Sequence, residues 1–267
     1  MTRGDYDPRI AVEGRGEPVV LVPGMDGTGE LFYRQVPLLA KSYRVATYAL
    51  RDAADRMDVL VEDLSGVVER VSGDERSAIV IGESFGGTLA LSLAIARPER
   101  VRALVVLNSF PYFAPRARLY LARAGLSVMP WGMMAMVRRT TAAALHSGHT
   151  HHHEMRRFLE LTRRATRHGY LNRLRILMHY DVRSSLPRLH MPVLFLASEH
   201  DHLVPSVKQA LLMAAHVPGA AVQILDGHGH ICLIAPDLNL EEILRGWRPH
   251  LIEGDAARSP APRAAPA

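Results

Sequence analysis

Short apolar runs alternate with longer amphipathic stretches along most of this chain. Six runs rich in Val, Ile, Leu and Ala are predicted to be strands: 18–22, 44–49, 78–81, 103–107, 193–197 and 221–225. Five stretches with helical spacing of apolar residues are predicted to be helices: 31–40, 59–71, 87–96, 204–215 and 240–248. Most of the strands are apolar along their whole length, as strands buried on both faces are. The pattern therefore predicts an α/β fold with a mostly parallel sheet flanked by helices.

One interval breaks this rhythm. About eighty residues separate the fourth predicted strand from the fifth, far more than an ordinary connection contains. Apolar residues recur at helical spacing between positions 158 and 178. We therefore predict an inserted helical cap over residues 110–190 and a core made of residues 1–109 and 191–253. Residues 254–267 are rich in Pro and Ala, have little to bury, and are predicted to be disordered.

Length and composition favour one main globular domain. The chain has 267 residues, of which 48% are hydrophobic, enough to bury one substantial core. Its single cysteine, Cys232, cannot form an internal disulfide, and residues 1–5 contain no apolar stretch typical of a secretory signal. We therefore expect a cytoplasmic setting. A transmembrane segment is not expected, because no apolar run reaches roughly eighteen residues.

The charge is unevenly distributed. Residues 111–190 contain fourteen arginines, no lysine and three acidic residues, a formal charge of +11, whereas the whole chain carries +5. A segment of this kind predicts a basic surface that meets an anionic partner, although arginine-rich helix faces are often only solvated. Nothing in the pattern indicates nucleic acid as that partner.

One short motif carries candidate chemistry. Residues 82–87 read Gly-Glu-Ser-Phe-Gly-Gly and lie between a predicted strand and a predicted helix, the context that a nucleophile elbow requires. Such a turn lifts the serine hydroxyl clear of the sheet, so the residues two before and two after the serine must be very small. Gly82 and Gly86 meet this requirement, and Ser84 is the candidate nucleophile. The pattern also arises by chance, so the hypothesis depends on finding its partners.

The first partner is an acid. A serine hydroxyl needs a base, and the base needs a carboxylate to orient it and to stabilise its charge. Both are expected in loops beyond the carboxyl ends of later strands, where such loops gather at one edge of the sheet. Asp201 follows the fifth predicted strand and is the leading candidate, although a lone Asp is also typical of a turn or helix cap. Glu199 is its local competitor.

The second partner is a histidine, and two compete for the role. His228 and His230 both follow the last predicted strand. We favour His230 because it adjoins the apolar run 231–235, which would pack and fix its position, whereas glycines flank His228. The predicted triad is therefore Ser84, Asp201 and His230.

Acyl transfer also requires N–H donors where negative charge develops. Phe85, the residue after the candidate nucleophile, is predicted to offer one backbone N–H. The glycine-rich loop 23–29 after the first predicted strand is predicted to offer the other, through Met25. A phosphate-binding loop is the rival interpretation, but the loop lacks the consecutive Lys-Ser/Thr pair of a Walker sequence, and Gly27 and Gly29 are not followed by the third glycine of a Gly-x-Gly-x-x-Gly pattern.

These motifs occur together and in a fixed order. Residues 23–29, 82–87, 201–205 and 229–230 resemble the α/β-hydrolase superfamily across most of residues 18–248. The resemblance implies an α/β-hydrolase fold with a cap and a serine hydrolase of the carboxylesterase type that works through an acyl-enzyme intermediate. It implies no cofactor. It identifies a reaction class rather than a substrate.

Within that superfamily the chain is most similar to small capped carboxylesterases, including methyl esterases that act on acyl groups held by acyl carrier protein. In those enzymes a basic cap receives an acidic carrier. The resemblance therefore implies a small-molecule ester or acyl substrate and an acidic acyl carrier as a partner. The arginines expected to contact that carrier are Arg138, Arg139, Arg156 and Arg157. Trp131 and Met134 are expected to line the acyl pocket, although ordinary helix packing more often accounts for such residues.

Other interpretations stay open. An acyltransferase or a thioesterase would use the same triad, and a ligand receptor would keep the same fold without catalysis. The cap also contains a histidine cluster: His146, His149, His151, His152 and His153. No metal site is predicted there, because no carboxylate stands in a His-Glu-x-x-His arrangement. A polar loop is expected instead.

Overall fold

The computed structural model of the protein describes residues 9–247. Within them one sheet has the strand order β1-β3-β2-β4-β5-β6-β7. The strands are β1 (Ile10–Glu13), β2 (Glu17–Val22), β3 (Tyr43–Tyr48), β4 (Ala78–Glu83), β5 (Val101–Leu107), β6 (Val193–Ser198) and β7 (Ala221–Leu225). Only β1 runs antiparallel to its neighbour, and the other paired strands are parallel.

Helices cover both faces of this sheet. They are α1 (Gln35–Leu39), α2 (Met57–Ser72), α3 (Phe85–Ala96), α4 (Ala117–Val128), α5 (Met134–Leu145), α6 (His152–Thr162), α7 (Arg167–His179) and α8 (Ser206–Ala214). Residues 240–247 are also helical. The predicted α/β class is therefore confirmed. Residue 248 of the last predicted helix, residues 1–8 and the predicted disordered tail lie outside the described residues.

The sheet is held by apolar side chains that alternate between two cores. Along β2, Val20 and Val22 pack into the core that contains α2, α3 and α8, whereas Val19 and Leu21 pack into the core that contains α1 and residues 240–247. All four side chains are fully buried. A strand covered on both faces has no polar face, which is why its sequence is a continuous apolar run.

Two local features differ from the sequence prediction. The antiparallel strand β1 was not predicted, because its apolar run covers only residues 10–12 and is shorter than the runs of the predicted strands. Three of its four residues are exposed. The predicted helix 31–40 is broken into a 3-10 turn, Glu30–Phe32, and the short helix α1. Pro37 explains the break, since proline has no amide hydrogen and is tolerated only in the first turn of a helix.

Four helices, α4 to α7, lie between β5 and β6, in the stretch predicted as a cap; residues 110–190 are called the inserted segment below. Its two ends are tied together, since Tyr112 forms an isolated antiparallel bridge with Asp181 and the amide of Val182 donates to the carbonyl of Pro111 over 2.9 Å. The segment therefore leaves the sheet and returns to it at one place, between two adjacent strands.

Candidate active site

Ser84 occupies the turn between β4 and α3, with φ 53° and ψ −116°. This φ lies in the left-handed region, which residues other than glycine seldom adopt. The turn is also tightly packed. A Cβ atom added at Gly82 would lie 2.3 Å from the carbonyl oxygen of Gly86, and one added at Gly86 would lie 2.1 Å from that of Val22. The strained turn and its two glycines have the form that the sequence predicts for a nucleophile elbow.

Ser84, His230 and Asp201 form one hydrogen-bonded chain. His230 Nε2 lies 3.1 Å from Ser84 Oγ, and His230 Nδ1 lies 2.7 Å from Asp201 Oδ2. His230 and Asp201 are both buried. An imidazole held between a hydroxyl and a carboxylate is arranged to remove the hydroxyl proton. The structure thus brings together the three side chains that the sequence singles out.

The loop after β6 orients Asp201. Its Oδ1 accepts hydrogen bonds from the amides of Leu203, over 3.0 Å, and Val204, over 2.9 Å, and its Oδ2 accepts one from the hydroxyl of Ser206. These donors stabilise the ionised carboxylate and fix its direction. The competitor Glu199 is exposed and accepts a backbone hydrogen bond from the loop after β7.

The two candidate histidines face different groups. His230 points to Ser84, whereas His228 Nδ1 lies 3.0 Å from Ser147 Oγ in the inserted segment. His228 Nε2 faces Asp237 at 3.6 Å. His228 is therefore engaged at the junction between the inserted segment and the core, and His230 is the histidine placed beside Ser84.

Asn108, which the sequence did not single out, supports the same loop. It follows β5 with φ 47° and is fully buried. Its Nδ2 donates to the carbonyl of His230 over 3.1 Å and to Ser198 Oγ over 2.9 Å, and its Oδ1 accepts from the amide of Ser198 over 2.8 Å. It ties the backbone of His230 to the end of β6. The sequence gives no motif for this role, because the partners are 90 and 122 positions away.

Two buried groups at the site have shifted pKa values. Burial raises the pKa of Glu83 to about 7, since the charged form is poorly solvated there. Burial opposes protonation of His230, but the hydrogen bond and charge of Asp201, with the charge of Glu83, outweigh it and raise the pKa of His230. Glu83 Oε1 lies 3.8 Å from His230 Nε2. A second carboxyl group therefore lies next to the serine and the histidine.

The backbone amides of Met25 and Phe85 are the two donors that the sequence predicts for the developing negative charge. Both residues line the cavity in front of the Ser84 hydroxyl. Within residues 9–247, neither amide N–H donates a hydrogen bond to another protein group. Phe85 is the first residue of α3, so its N–H has no partner within the helix. The geometry leaves both amides available to a substrate oxygen.

Arg173 of α7 holds the loop that carries Met25. Its side chain is 2% exposed, its Nη1 donates to the carbonyl of Met25 over 3.1 Å, and its Nη2 pairs with Asp52 Oδ1 over 2.6 Å. A Cβ atom added at Gly27 would lie 2.0 Å from Nη2. An arginine of the inserted segment thus packs against the glycine-rich loop, a contact that the sequence did not predict.

A cavity of about 590 Å³ opens in front of Ser84 and His230. Helices of the inserted segment form much of its wall, which is predominantly apolar. Apolar residues that the segment contributes include Leu119, Leu126, Met129, Met134, Val137, Leu145, Phe158, Leu174 and Leu177. Met134, one of the two residues that the sequence assigns to an acyl pocket, lies among them. Trp131 is not among the lining residues: it packs edge-on against Tyr170 and contacts the guanidinium groups of Arg138 and Arg167.

The predicted basic surface is only partly exposed. Arg138 is only 8% exposed and donates to the carbonyl of Ala165, so little of its side chain can contact a partner at the surface. Arg157 is exposed, and its guanidinium group stacks over the ring of Tyr33. Arg139 and Arg156 are exposed and line one groove with Arg163. The correction has a physical reason: arginine stems cover apolar surface, and their heads bind carbonyls and rings as readily as solvent.

Comparison with known proteins places this fold and site in a family. Residues 17–235 match the family model of the alpha/beta hydrolase fold. The chain belongs to the α/β-hydrolase family. The sequence-based prediction of a hydrolase of this family, with its fold, is confirmed. Among the described residues, no helix has both the length and the apolar character needed to cross a membrane.

Several curated relatives match most of the chain. The protein named "Putative carbamate hydrolase RutD" of Cronobacter sakazakii is 29% identical over 92% of this chain and 94% of its own length. A polyketide synthase, ThaQ of Burkholderia thailandensis, matches at 28% identity over 81% of this chain but only 11% of its own.

Solved structures show the same fold. The thermophilic esterase of Thermogutta terrifontis has a TM-score of 0.82 at 19% identity, covering 94% of this chain and 96% of its own. The enol-lactonase of Burkholderia xenovorans has a TM-score of 0.76 at 17% identity, covering 93% and 96%. At these identities the likeness shows the fold alone.

Proposed function

We propose that this α/β-hydrolase cleaves carboxylic esters of apolar acyl groups through an acyl-enzyme intermediate. The observation that carries the proposal is the Ser84–His230–Asp201 hydrogen-bonded chain, which opens onto a predominantly apolar cavity. A complete triad with two unpartnered amides opposite it has little structural use. This also argues against a non-catalytic receptor.

The proposed reaction has two steps. Ser84 Oγ attacks the ester carbonyl while His230 Nε2 takes its proton, and the oxygen that becomes negative accepts hydrogen bonds from the amides of Met25 and Phe85. The C–O bond to the alcohol breaks and His230 returns the proton to the leaving oxygen. Water then attacks the acyl group on Ser84 by the same route in reverse, and the acid leaves. Asp201 orients His230 and stabilises its charged form.

The cavity supports an apolar acyl chain as the recognised group. Side chains from four helices of the inserted segment surround the space in front of Ser84, and methionines such as Met129 and Met134 adapt to flexible apolar ligands. A volume of about 590 Å³ is ample for a medium-length chain. We expect kcat/KM to rise along a series of p-nitrophenyl esters from acetate to octanoate.

The test combines labelling with kinetics. The parent should react with a fluorophosphonate probe at one site and release a burst of p-nitrophenol from an ester, and Ser84→Ala should lose both. Ser109→Ala is a matched control, since Ser109 donates its hydroxyl to the carbonyl of Ser84 but is no nucleophile in the proposal. Labelling of Ser84→Ala at the parental rate would overturn the proposal, and an unlabelled parent would favour a receptor.

Carbamate hydrolysis is the second candidate, because the RutD relatives carry that name. The same triad would form a carbamoyl-enzyme. The predominantly apolar cavity favours an acyl chain over a small polar carbamate, which has little surface to bury there. Comparing the turnover of an ester with that of the carbamate of the same alcohol separates the two candidate functions. Faster turnover of the carbamate would make carbamate hydrolysis the better-supported function.

Acyl transfer to an acceptor other than water is tested by adding a competing alcohol or thiol and analysing the products.

An acidic acyl carrier remains a more specific hypothesis for the natural substrate. Its support is a groove lined by four arginines, of which Arg139, Arg156 and Arg163 are exposed; the fourth is the buried Arg138. Reversing these three charges should weaken turnover of a carrier-bound acyl ester but not of a small neutral ester. Equal turnover of both substrates by the variant and the parent would exclude the carrier.

A further inference from the structure

A second cluster of ligating side chains lies where the inserted segment meets the core. His149 comes from the loop between α5 and α6, His228 from the loop after β7, and Asp237 from the chain before residues 240–247. Each offers one ligand atom, and the three atoms lie within 4.8 Å of one another. His149 Nδ1 is 2.6 Å and His228 Nε2 is 3.6 Å from Asp237 Oδ2. Three separate parts of the chain thus converge on one point.

His228 is already oriented as a ligand. Its Nδ1 lies 3.0 Å from Ser147 Oγ, which also accepts from the amide of Gly229 over 3.2 Å. A histidine whose far nitrogen is held by a hydrogen-bond partner has a fixed ring direction, as metal-ligating histidines commonly have.

The ring of His149 is similarly placed. It packs against Gly227, where an added Cβ atom would lie 3.1 Å from its Cε1, and its centroid is 5.7 Å from that of His228. The side chains of His149 and Asp237 are 52% and 44% exposed, while that of His228 is 8% exposed. The cluster therefore has one buried ligand and an open side through which a hydrated ion can enter.

We propose that His149, His228 and Asp237 bind a divalent cation of the zinc class. Two imidazole nitrogens and one carboxylate oxygen are a donor set that Zn²⁺ prefers, with water completing four-fold coordination. The ion replaces the hydrogen that His149 and Asp237 share in their hydrogen bond. The three donor atoms all lie within 4.8 Å of one another, so rotations of the exposed His149 and Asp237 side chains can bring them onto one ion.

The position of the site gives the ion a role. The amide of Ile231 donates to the carbonyl of Leu145 over 2.9 Å, and the amide of Gly229 donates to Ser147. His230 lies between these two contacts. An ion bound through His149 and His228 therefore clamps the loop of the inserted segment onto the loop that carries His230, and it regulates how firmly that histidine is held.

Calorimetric titration of the untagged full-length protein with ZnCl₂ tests the site. We expect one equivalent to bind and His149→Ala and Asp237→Asn to lose at least about tenfold in affinity. His152→Ala is the matched control, since His152 is exposed and belongs to the same histidine-rich stretch but not to the cluster. Absence of saturable binding, or an equal loss in His152→Ala, overturns the proposal.

Amide hydrogen exchange tests the clamp itself. Zn²⁺ should slow exchange at Gly229 and Ile231 in the parent and in His152→Ala, and should leave it unchanged in His149→Ala. Near-UV circular dichroism of each variant shows that it keeps the parental fold. Equal slowing in His149→Ala, or no slowing in the parent at saturating Zn²⁺, overturns the role proposed for the ion. Neither readout depends on the identity of the substrate.

Discussion

The core loops around Ser84 and the inserted segment border one cavity but are held in different ways. Around Ser84 the backbone itself determines position, through a left-handed turn and two glycines that leave no room for a Cβ atom. In the inserted segment, long side chains determine position through hydrogen bonds to the core, as Arg173 does when it donates to the carbonyl of Met25. The turn at Ser84 is determined by a few adjacent residues and leaves no room for an added Cβ atom. The contacts of the inserted segment join residues more than a hundred positions apart in the sequence.

The largest effect is expected from a methyl group at the backbone-determined turn. In Gly86→Ala the new Cβ atom would lie 2.1 Å from the carbonyl oxygen of Val22, so the turn has to shift. We expect kcat/KM for a p-nitrophenyl ester to fall by about 100-fold or more. We also expect urea denaturation to show a loss of about 3 kcal/mol in the free energy of unfolding.

Gly66→Ala is the control for this change. Gly66 lies within α2, and nothing lies within 4 Å of its added Cβ atom. Alanine favours a helix interior by about 0.5–1 kcal/mol over glycine, so this variant should be more stable and fully active. An active, stable Gly86→Ala would show that the turn is less constrained than its contacts indicate.

A smaller effect is expected where a side chain determines position. Arg173→Met keeps an unbranched stem but removes the hydrogen bonds to Met25 and Asp52. Because the loop that carries the Met25 amide loosens, we expect kcat to fall by about tenfold, within the range that small misplacements cause. The free energy of unfolding should fall by about 1–3 kcal/mol.

Arg175→Met is the matched variant on the same helix. Arg175 pairs with Asp55, but the two side chains are 55% and 42% exposed. An exposed ion pair contributes roughly 0–1 kcal/mol to the free energy of unfolding. Because Arg175 pairs with Asp55 and not with the loop that carries Met25, kcat should not change. If kcat fell as much in Arg175→Met as in Arg173→Met, the prediction that Arg173 positions the loop with the Met25 amide would be contradicted.

The smallest effect is expected at Glu83, where charge rather than packing is altered. His230 must be neutral to accept a proton, so activity falls as the pH falls through the pKa of His230. The negative charge of Glu83 raises that pKa, and Glu83→Gln removes the charge. The acidic limb of the kcat/KM profile should therefore move to lower pH, by less than about one unit.

Stability gives an independent readout of the same residue. Burial raises the pKa of Glu83 from 4.5 to about 7. The folded state thus binds the proton more tightly than the unfolded chain, and the parent loses stability as the pH rises from 4.5 to about 7. Glu83→Gln has no carboxyl group at this position, so its stability should not fall for this reason as the pH rises through the same range. The exposed Glu199→Gln serves as the control, and identical pH dependence of all three proteins would contradict the coupling.

The features that the sequence predicted are those that depend on neighbouring residues in the chain. Continuous apolar runs gave the parallel strands, and the ends of those strands located Ser84, Asp201 and His230, which hydrogen bonds join in the structure. The rule holds because parallel strands bring their following loops to one edge. The choice of His230 over His228 rested on an apolar neighbour, and the structure places that residue beside Ser84.

Long-range side-chain contacts could not be predicted in this way. Asn108 and Arg173 act through partners 90 to 148 positions away, and neither stands in a recognisable motif. The same limit applies to Arg138 and Trp131. Their residue types suit a partner surface and an acyl pocket, respectively, but in the structure the guanidinium group of Arg138 lies over the ring of Trp131. A charge count gives the number of arginines but not which of them are neutralised, stacked or free.

Cys232 gives this protein an internal probe of its own opening. The thiol is fully buried two positions after His230, accepts a hydrogen bond from Asn108, and has its pKa raised by burial to about 12. A thiol in this state is inert to maleimides and disulfide reagents until the surrounding chain opens. Because it is the only cysteine in the sequence, the rate of its modification reports how often the loop that carries His230 opens away from the sheet, without any engineered label.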